Sequence, residues 1–326
     1  MNLQNSDKLV TIIGGSGFVG RHVVRALAKR GYRIRVACRR PDLAFHVVPL
    51  GVPGQIVPVQ ANVRYPASVA AACDGAYAVI NLAAVFQSGG AQTFDGVHVL
   101  GAEAVAKAAK ATKAQVFIHM SGLGADDTKT ESVYVRSRGA GEAKARSVYH
   151  RAIILRPSVI FGPEDNFFNK IAAMARLAPV LPVIGPESKL QPVFVGDVAE
   201  AVARLVDSGV SDGKTYELGG PEIKTMRQLM QYAVDVTYRK RLLINLPFPL
   251  ASLMGMLVGW LPGAPITSDQ VEVLKSDNVV SAMAQAEGRD LKGLGIKSRG
   301  IEGIVSTYLY RYRKAGQFST STPTVE

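Results

Sequence analysis

The sequence predicts an α/β fold: a doubly wound parallel sheet with a smaller C-terminal α/β lobe. Three observations carry this expectation. Apolar runs suited to buried strands alternate with helical patterns through the first half of the chain. The first run, Val10-Thr-Ile-Ile13, ends in a glycine-rich turn that opens into a helix. Pro58 lies inside the third run and confines that strand to a sheet edge, because proline cannot donate to a ladder. The third strand is peripheral in a sheet ordered 3-2-1-4-5-6.

Strands are expected near 9–13, 33–38, 55–60, 76–82, 115–120 and 152–156, and helices near 18–30, 66–73, 93–111, 134–147 and 168–177. The first helix is read from Val19, Val23, Val24 and Leu27, with Gly31 at its C-terminal end. Asp197 and Glu200 form a capping-box pattern after Val193-Phe-Val195, with Asp197 as the N-cap, and Thr225 with Gln228 repeats the device. The expected organisation is a nucleotide-binding domain over 1–165, with segments near 190–205 returning to it. A smaller lobe follows over 166–315, with an uncharged segment at 242–268 and a disordered Ser/Thr/Pro tail at 316–326. The chain's 326 residues, 48% of them hydrophobic, suffice for such a core.

Cys38 and Cys73 are too far apart for a disulfide framework, and the five histidines show no ligand spacing, so no metal is expected. No secretory or organellar presequence pattern opens the chain. The net charge of +12 is uneven: residues 1–160 carry +11 and the remainder +1. This excess suits an anionic cofactor, an acidic partner, an anionic membrane surface or simple solubility. No basic patch interleaved with aromatics argues for nucleic acid.

The turn Gly14-Gly-Ser-Gly-Phe-Val-Gly20 carries the chemistry. Gly14 permits the tight turn, Gly17 lets the backbone approach phosphates, and Gly20 allows close helix–strand packing, so a pyrophosphate can meet the helix N–H groups. This is a Rossmann-type pattern. A carboxylate at the end of strand two would hold the ribose 2′-hydroxyl of NAD. Here Arg39 and Arg40 stand there, and Asp42 lies beyond Pro41. Two guanidiniums suit a 2′-phosphate, so the expected cofactor is NADPH/NADP+; the competing reading is a solvated basic turn.

Further residues carry a resemblance. Asn81-Leu-Ala-Ala84 follows strand four, Ser121 ends strand five, Tyr134 stands within Tyr134-Val-Arg-Ser-Arg138, and Arg156-Pro-Ser-Val-Ile-Phe-Gly162 follows. The chain resembles the extended or atypical branch of the short-chain dehydrogenase/reductase superfamily. The resemblance matches Ser121 to the catalytic serine and Tyr134 to the acid/base tyrosine. It places Arg138 where the family carries lysine. It also implies cofactor contacts from Gly14, Ser16, Gly17, Phe18, Val19, Gly20, Arg39, Arg40, Asn62, Val63, Leu82, Ala83, Ala84, Ser121, Tyr134, Arg138, Pro157 and Ile160. A tyrosine of ordinary pKa near 10 needs a neighbouring cation to act near neutrality. A planar guanidinium reaches differently from an ammonium. Binding is therefore expected to persist, while Ser121 and Tyr134 are either vestigial packing groups or an active pair.

Within that superfamily the chain looks like the nucleotide-binding accessory subunits of respiratory complex I. The resemblance rests on Ile160-Phe-Gly-Pro-Glu-Asp-Asn-Phe-Phe-Asn169, Gln191-Pro-Val-Phe-Val-Gly-Asp197, Leu246-Pro-Phe-Pro-Leu250, Ile266-Thr-Ser-Asp-Gln-Val-Glu272 and Gly293-Leu-Gly-Ile296. It implies tightly held NADPH, no established turnover, and complex I subunits on the quinone-module side as partners. It places the protein peripherally on the cytoplasmic face of a bacterial inner membrane. An active NADPH-dependent reductase or epimerase is the alternative, and a nucleotide-sensing regulator a third. Independently, Leu250, Leu253, Met254, Leu257, Val258 and Leu261 form an apolar stripe between Pro249 and Pro262. At roughly 12 residues that helix is too short to span a bilayer. It either lies at a lipid interface with Trp260 and Arg239-Lys-Arg241, fits a partner's groove, or is buried.

Overall fold

The computed structural model describes residues 5–125, 130–258 and 267–318. In chain order the elements begin β1 (Leu9–Ile13), α1 (Phe18–Lys29), β2 (Arg33–Cys38), β3 (Ile56–Gln60), α2 (Pro66–Cys73), β4 (Ala78–Asn81), α3 (Leu100–Ala111), β5 (Val116–Met120), α4 (Val133–Val148) and β6 (Ile153–Pro157). They continue β7 (Ile160–Phe161), α5 (Phe168–Leu177), β8 (Val180–Ile184), β9 (Lys189–Leu190), β10 (Val193–Phe194), α6 (Val195–Asp207), β11 (Thr215–Leu218), β12 (Lys224–Thr225) and α7 (Met226–Val236). The last are β13 (Leu242–Leu246), α8 (Phe248–Val258), α9 (Ser268–Val273), α10 (Ala282–Ala286) and α11 (Glu302–Leu309). The chain divides into two compact units. The first comprises Met1–Pro157, Val195–Leu218 and Val280–Lys297, and the second comprises Ser158–Phe194, Gly219–Val279 and Ser298–Glu326.

In the first unit, the described strands form a seven-stranded parallel sheet ordered β11-β6-β5-β4-β1-β2-β3. The predicted order is present, with β3 at the edge and Pro58 opposite Val36. The seventh strand, β11, extends beyond the predicted six and, among the described strands, pairs only with β6. β5 is buried at every position, as a central strand covered on both faces requires. Helices α2, α3 and α4 pack together around Val69, Val105, Phe117 and Ala145. α1 packs on α6, tied by Arg30 to Glu200 and Asp207 at 2.7 Å each.

Two local expectations are corrected. The predicted helix at 93–111 starts as a π turn, Asp95–Val99, and becomes regular only at Leu100. That wide turn presses the His98 carbonyl against α4, where a Cβ on Gly141 would sit 2.3 Å from it. Asp197 is not the residue before α6: the helix starts at Val195, so Asp197 lies buried in its first turn. The Thr225–Gln228 capping box is present as predicted.

The second unit has its own core of Phe161, Phe168, Leu181, Val183, Leu229 and Val305. β8 and β13 pair in parallel, with Leu243 and Leu181 buried at one register position. Buried Asp165 accepts N–H groups from Gly162, Phe167 and Asn169 at 3.0 Å each, and the Tyr308 hydroxyl at 2.6 Å. It thereby joins α11 to the start of α5. The predicted helix after Pro249 begins one residue before it, at Phe248. A first-turn proline forfeits no helical hydrogen bond there. Leu261 and Pro262, like Trp260, lie outside the described residues. Of the predicted disordered tail, Gly316–Phe318 forms a 3-10 turn, and 319–326 lies outside the described residues.

Candidate functional site

The site is assembled at the carboxyl ends of the parallel strands, where the strand order reverses between β1 and β4. Gly14 turns at φ +80°, in the left-handed region, with its N–H on the Ala37 carbonyl at 2.9 Å. A Cβ there would lie 3.3 Å from the Leu82 backbone, so the loops after β1 and β4 meet at this point. Gly20 is more restricted: its Cβ would fall 2.5 Å from the Gly14 carbonyl oxygen and 2.6 Å from Gly15. Gly17 differs, since its nearest neighbour would be 3.4 Å away, ordinary contact, and it is exposed. The fold tolerates a methyl there; an incoming phosphate would not.

Gly17 caps α1 without a side-chain hydrogen bond, and no acidic residue occupies the first turn. The helix therefore presents free N–H groups and an uncompensated positive dipole end. Ser16, Phe18 and Val19 surround this end. Leu82 donates its N–H to the Ile13 carbonyl at 2.9 Å, and Ala83 donates to Asn81 Oδ1 at 3.2 Å, with Ala84 beside them. Asn62 follows β3, its Oδ1 accepting the Arg64 N–H at 3.1 Å, and Val63 is buried against Gly101.

The two guanidiniums after β2 are not equivalent. Arg40 forms a two-point ion pair with Asp42, 2.7 and 3.0 Å, which lowers the carboxyl's pKa through that hydrogen bond. Arg39 is exposed and its guanidinium has no partner among the described residues. The sequence reading of a double clasp therefore reduces to one free cation and one held by a neighbour.

At the other end, Ser121 follows β5, its N–H on the Leu155 carbonyl at 2.7 Å. Its hydroxyl is buried without a hydrogen-bond partner among the described residues. Arg138 is 4% exposed; one of its terminal nitrogens donates to the Met120 carbonyl, and its Nε is buried, likewise without a partner. Buried polar atoms are ordinarily satisfied, so an outside polar group could bond to either; Arg64 Nε and Arg146 Nε are in the same state elsewhere in the first unit. Tyr134, half-buried, touches the rings of Phe86, Phe94 and His98, with ring centroids at 5.8, 5.8 and 5.6 Å. Pro157 closes β6, its carbonyl accepting the Leu123 N–H at 3.0 Å. Ile160 belongs to β7 in the second unit.

Sequence reasoning missed the histidines behind this cluster. His98 Nε2 accepts the Val85 N–H at 3.0 Å, which assigns the ring proton to Nδ1. Nδ1 then donates to Ser137 Oγ at 2.8 Å, and Ser137 donates to the Tyr134 carbonyl at 2.7 Å. His119 Nδ1 accepts from Asn81 Nδ2 at 3.1 Å. Burial, reinforced by the nearby Arg138 charge, pushes both histidines down to about 3, so both are neutral at pH 7. The available signal was the polar pair Asn81 and His119, in register inside otherwise apolar strands. Among the described residues no group of three or more His, Cys, Asp or Glu could hold a metal.

Residues 10–219 match the NAD dependent epimerase/dehydratase family. The chain belongs to that family. It is 33% identical over 331 residues to the mitochondrial NADH dehydrogenase [ubiquinone] 1 alpha subcomplex subunit 9 of Arabidopsis thaliana, covering 97% of this chain and 81% of that protein. It is also 33% identical over 321 residues to a ceramide reductase of Caulobacter vibrioides, covering 94% and 95%. The crystal structure of gox2253 shares the fold at a TM-score of 0.73 with 21% identity, covering 96% of this chain and 100% of that one. The resemblance to complex I accessory subunits and the α/β fold are thus established. No helix among the described residues is long and apolar enough to cross a membrane.

Proposed function

We propose that this chain is an NADPH-binding accessory subunit of a respiratory NADH:quinone oxidoreductase, holding its nucleotide for structure rather than turnover. One observation carries the second half of this reading. The cation expected beside Tyr134 is a buried guanidinium already bonded to the Met120 carbonyl, not an ammonium free to move. A planar fork pinned to a strand end is a poor substitute for the group that would stabilise a tyrosinate.

The nucleotide fits the residues present. The uncapped α1 N-terminus would take the pyrophosphate, with Gly17 giving it room. Arg39 would take a 2′-phosphate, which favours NADP(H) over NAD(H). Asn62 and Val63 would flank the adenine. Ser121 Oγ and Arg138 Nε would find partners on the nicotinamide ribose and amide. When bound, NADPH supplies a hydride. On this reading the protein's residues supply position. Partners would be subunits of the quinone-reducing module, with the protein peripheral on the cytoplasmic face of a bacterial inner membrane. The relatives named as mitochondrial complex I subunits support the assignment to such a complex.

The test is purification from native membranes. Expected are complex I subunits as companions and unconsumed NADPH in near-stoichiometric amount. Recovery as a lone polypeptide with no nucleotide would overturn the reading.

A reductase is the second reading. It is favoured by the retained Ser121 and Tyr134, and by the similarity to a ceramide reductase over 95% of that protein's length. It requires NADPH oxidation that Tyr134→Phe abolishes.

A further inference from the structure

Helix α8 is built inside out. Its small residues face the protein: Ala251 is buried beside Ile184 and Val271, and a Cβ on Gly255 would sit 2.5 Å from the Ser268 nitrogen of α9. Its large apolar residues face away, with Leu250, Leu253, Met254, Met256 and Leu257 between 43% and 71% exposed. Positions 250, 253, 254 and 257 recur at helical spacing, so they form one outward stripe. An ordinary surface helix shows the reverse arrangement.

The strand before α8 continues the theme. On β13, Leu242 is 60% and Ile244 49% exposed, opposite Val180 and Pro182 of β8, and Leu177 at the end of α5 is 80% exposed. Large apolar side chains exposed in this number on one unit mark an interaction surface.

Cations border it. Arg239, Lys240 and Arg241 lead directly into β13, and Arg176 lies in the last turn of α5. Burial and the proximity of Arg241 and Arg176 lower the pKa of Arg239, which places these guanidiniums together. The hydrogen bonds they make run to backbone carbonyls rather than carboxylates: Arg239 Nε donates to Tyr312 at 2.9 Å and Arg241 Nε to Ala175 at 2.6 Å. Among the described residues none of the four forms an ion pair. No charged residue occurs between Leu242 and Ser268.

We infer that this face of the second unit, the α8 stripe with the exposed β8–β13 strand face, docks on an anionic lipid surface. α8 has 11 residues, about 16 Å of helix against a hydrocarbon core of about 30 Å, so it lies in the interface and does not cross. Exposed leucine and methionine suit acyl chains, and cations that form no ion pair among the described residues suit anionic headgroups. This inference deepens the membrane-peripheral part of the proposed function and does not depend on the nucleotide.

The experiment is flotation of the full chain with vesicles of phosphatidylcholine alone or with phosphatidylglycerol, at low and high salt. Wild type is expected to float with the anionic vesicles and to be released in part by salt. L253E/L257E should lose binding by on the order of ten-fold or more. R176E/K240E should lose at least about five-fold per cation, and chiefly at low salt. All four positions are outside the nucleotide site, so the thermal midpoint and NADPH binding report whether each variant is folded. Wild type left unbound by both vesicle types would overturn the proposal, as would folded variants that float as well as wild type. Companions in native purification are scored separately. If L253E/L257E loses those companions while wild type ignores vesicles, the stripe is a protein interface and the lipid inference fails, with the complex I reading intact.

Discussion

The two ends of the crevice in the first unit differ in kind. The phosphate end is assembled from backbone: Gly14 at φ +80°, Gly20 packed against Gly14 and Gly15, and an uncapped α1. The other end is assembled from side chains, with Arg138 where the resemblance to short-chain dehydrogenases places a lysine. Arg138 is pinned to Met120, Tyr134 touches three rings, and two neutral histidines stand behind them. On the proposed reading, affinity and turnover are specified by separate parts of one site. The second can drift while the first is kept by packing, because altering Gly20 disrupts the fold as well as the ligand.

The largest expected effect is at Gly20. Gly20→Ala drives a methyl into fixed backbone and should cost several kcal/mol of stability, read by denaturant unfolding. Gly17→Ala sharpens the contrast: the fold should keep its midpoint, while nucleotide affinity falls about 100-fold in titration calorimetry, since only the ligand needs that space. Equal destabilisation by both would break the distinction between packing glycine and ligand glycine.

Acid should act through the side-chain end. His98 and His119 are held at about 3 in the folded protein, below the ordinary value of 6.5 that the unfolded chain recovers. Between those values the unfolded chain binds more protons, so stability falls as the pH is lowered from 7 toward 3. Each histidine should cost about 2 kcal/mol by about pH 5. Comparing denaturant midpoints at neutral and mildly acid pH measures this, and His98→Asn should flatten the slope by its share. The smallest effects are at the loop after β2. Arg39→Ala should weaken NADPH about ten-fold and leave NADH unchanged. Arg40→Ala should change either by only about two-fold, because Asp42 already holds that guanidinium. Equal losses would restore the two-cation clasp.

The six predicted strands and the glycine turn were legible because each rests on local chemistry: apolar runs, a proline that tolerates only an edge, glycines that tolerate close approach. The His98 relay was not legible. It depends on a π turn whose His98 carbonyl packs closely on Gly141 of α4, a tertiary contact with no sequence period. Nor was the orientation of α8. Leu250, Leu253, Met254 and Leu257 have the same spacing whether they face a core or the outside; only Ala251 and Gly255 against α9 settle it. The Arg40–Asp42 pair was hidden because Pro41 turns the chain and brings the two side chains together.

The central claim is that the nucleotide is held and not consumed. The most direct measurement follows the fluorescence of NADPH bound to the purified protein in the presence of a ubiquinone analogue, a long-chain aldehyde and a ceramide-type ketone. The account predicts a bound signal that stays constant for hours and is indifferent to Tyr134→Phe. A substrate-dependent decay that Tyr134→Phe abolishes would contradict it.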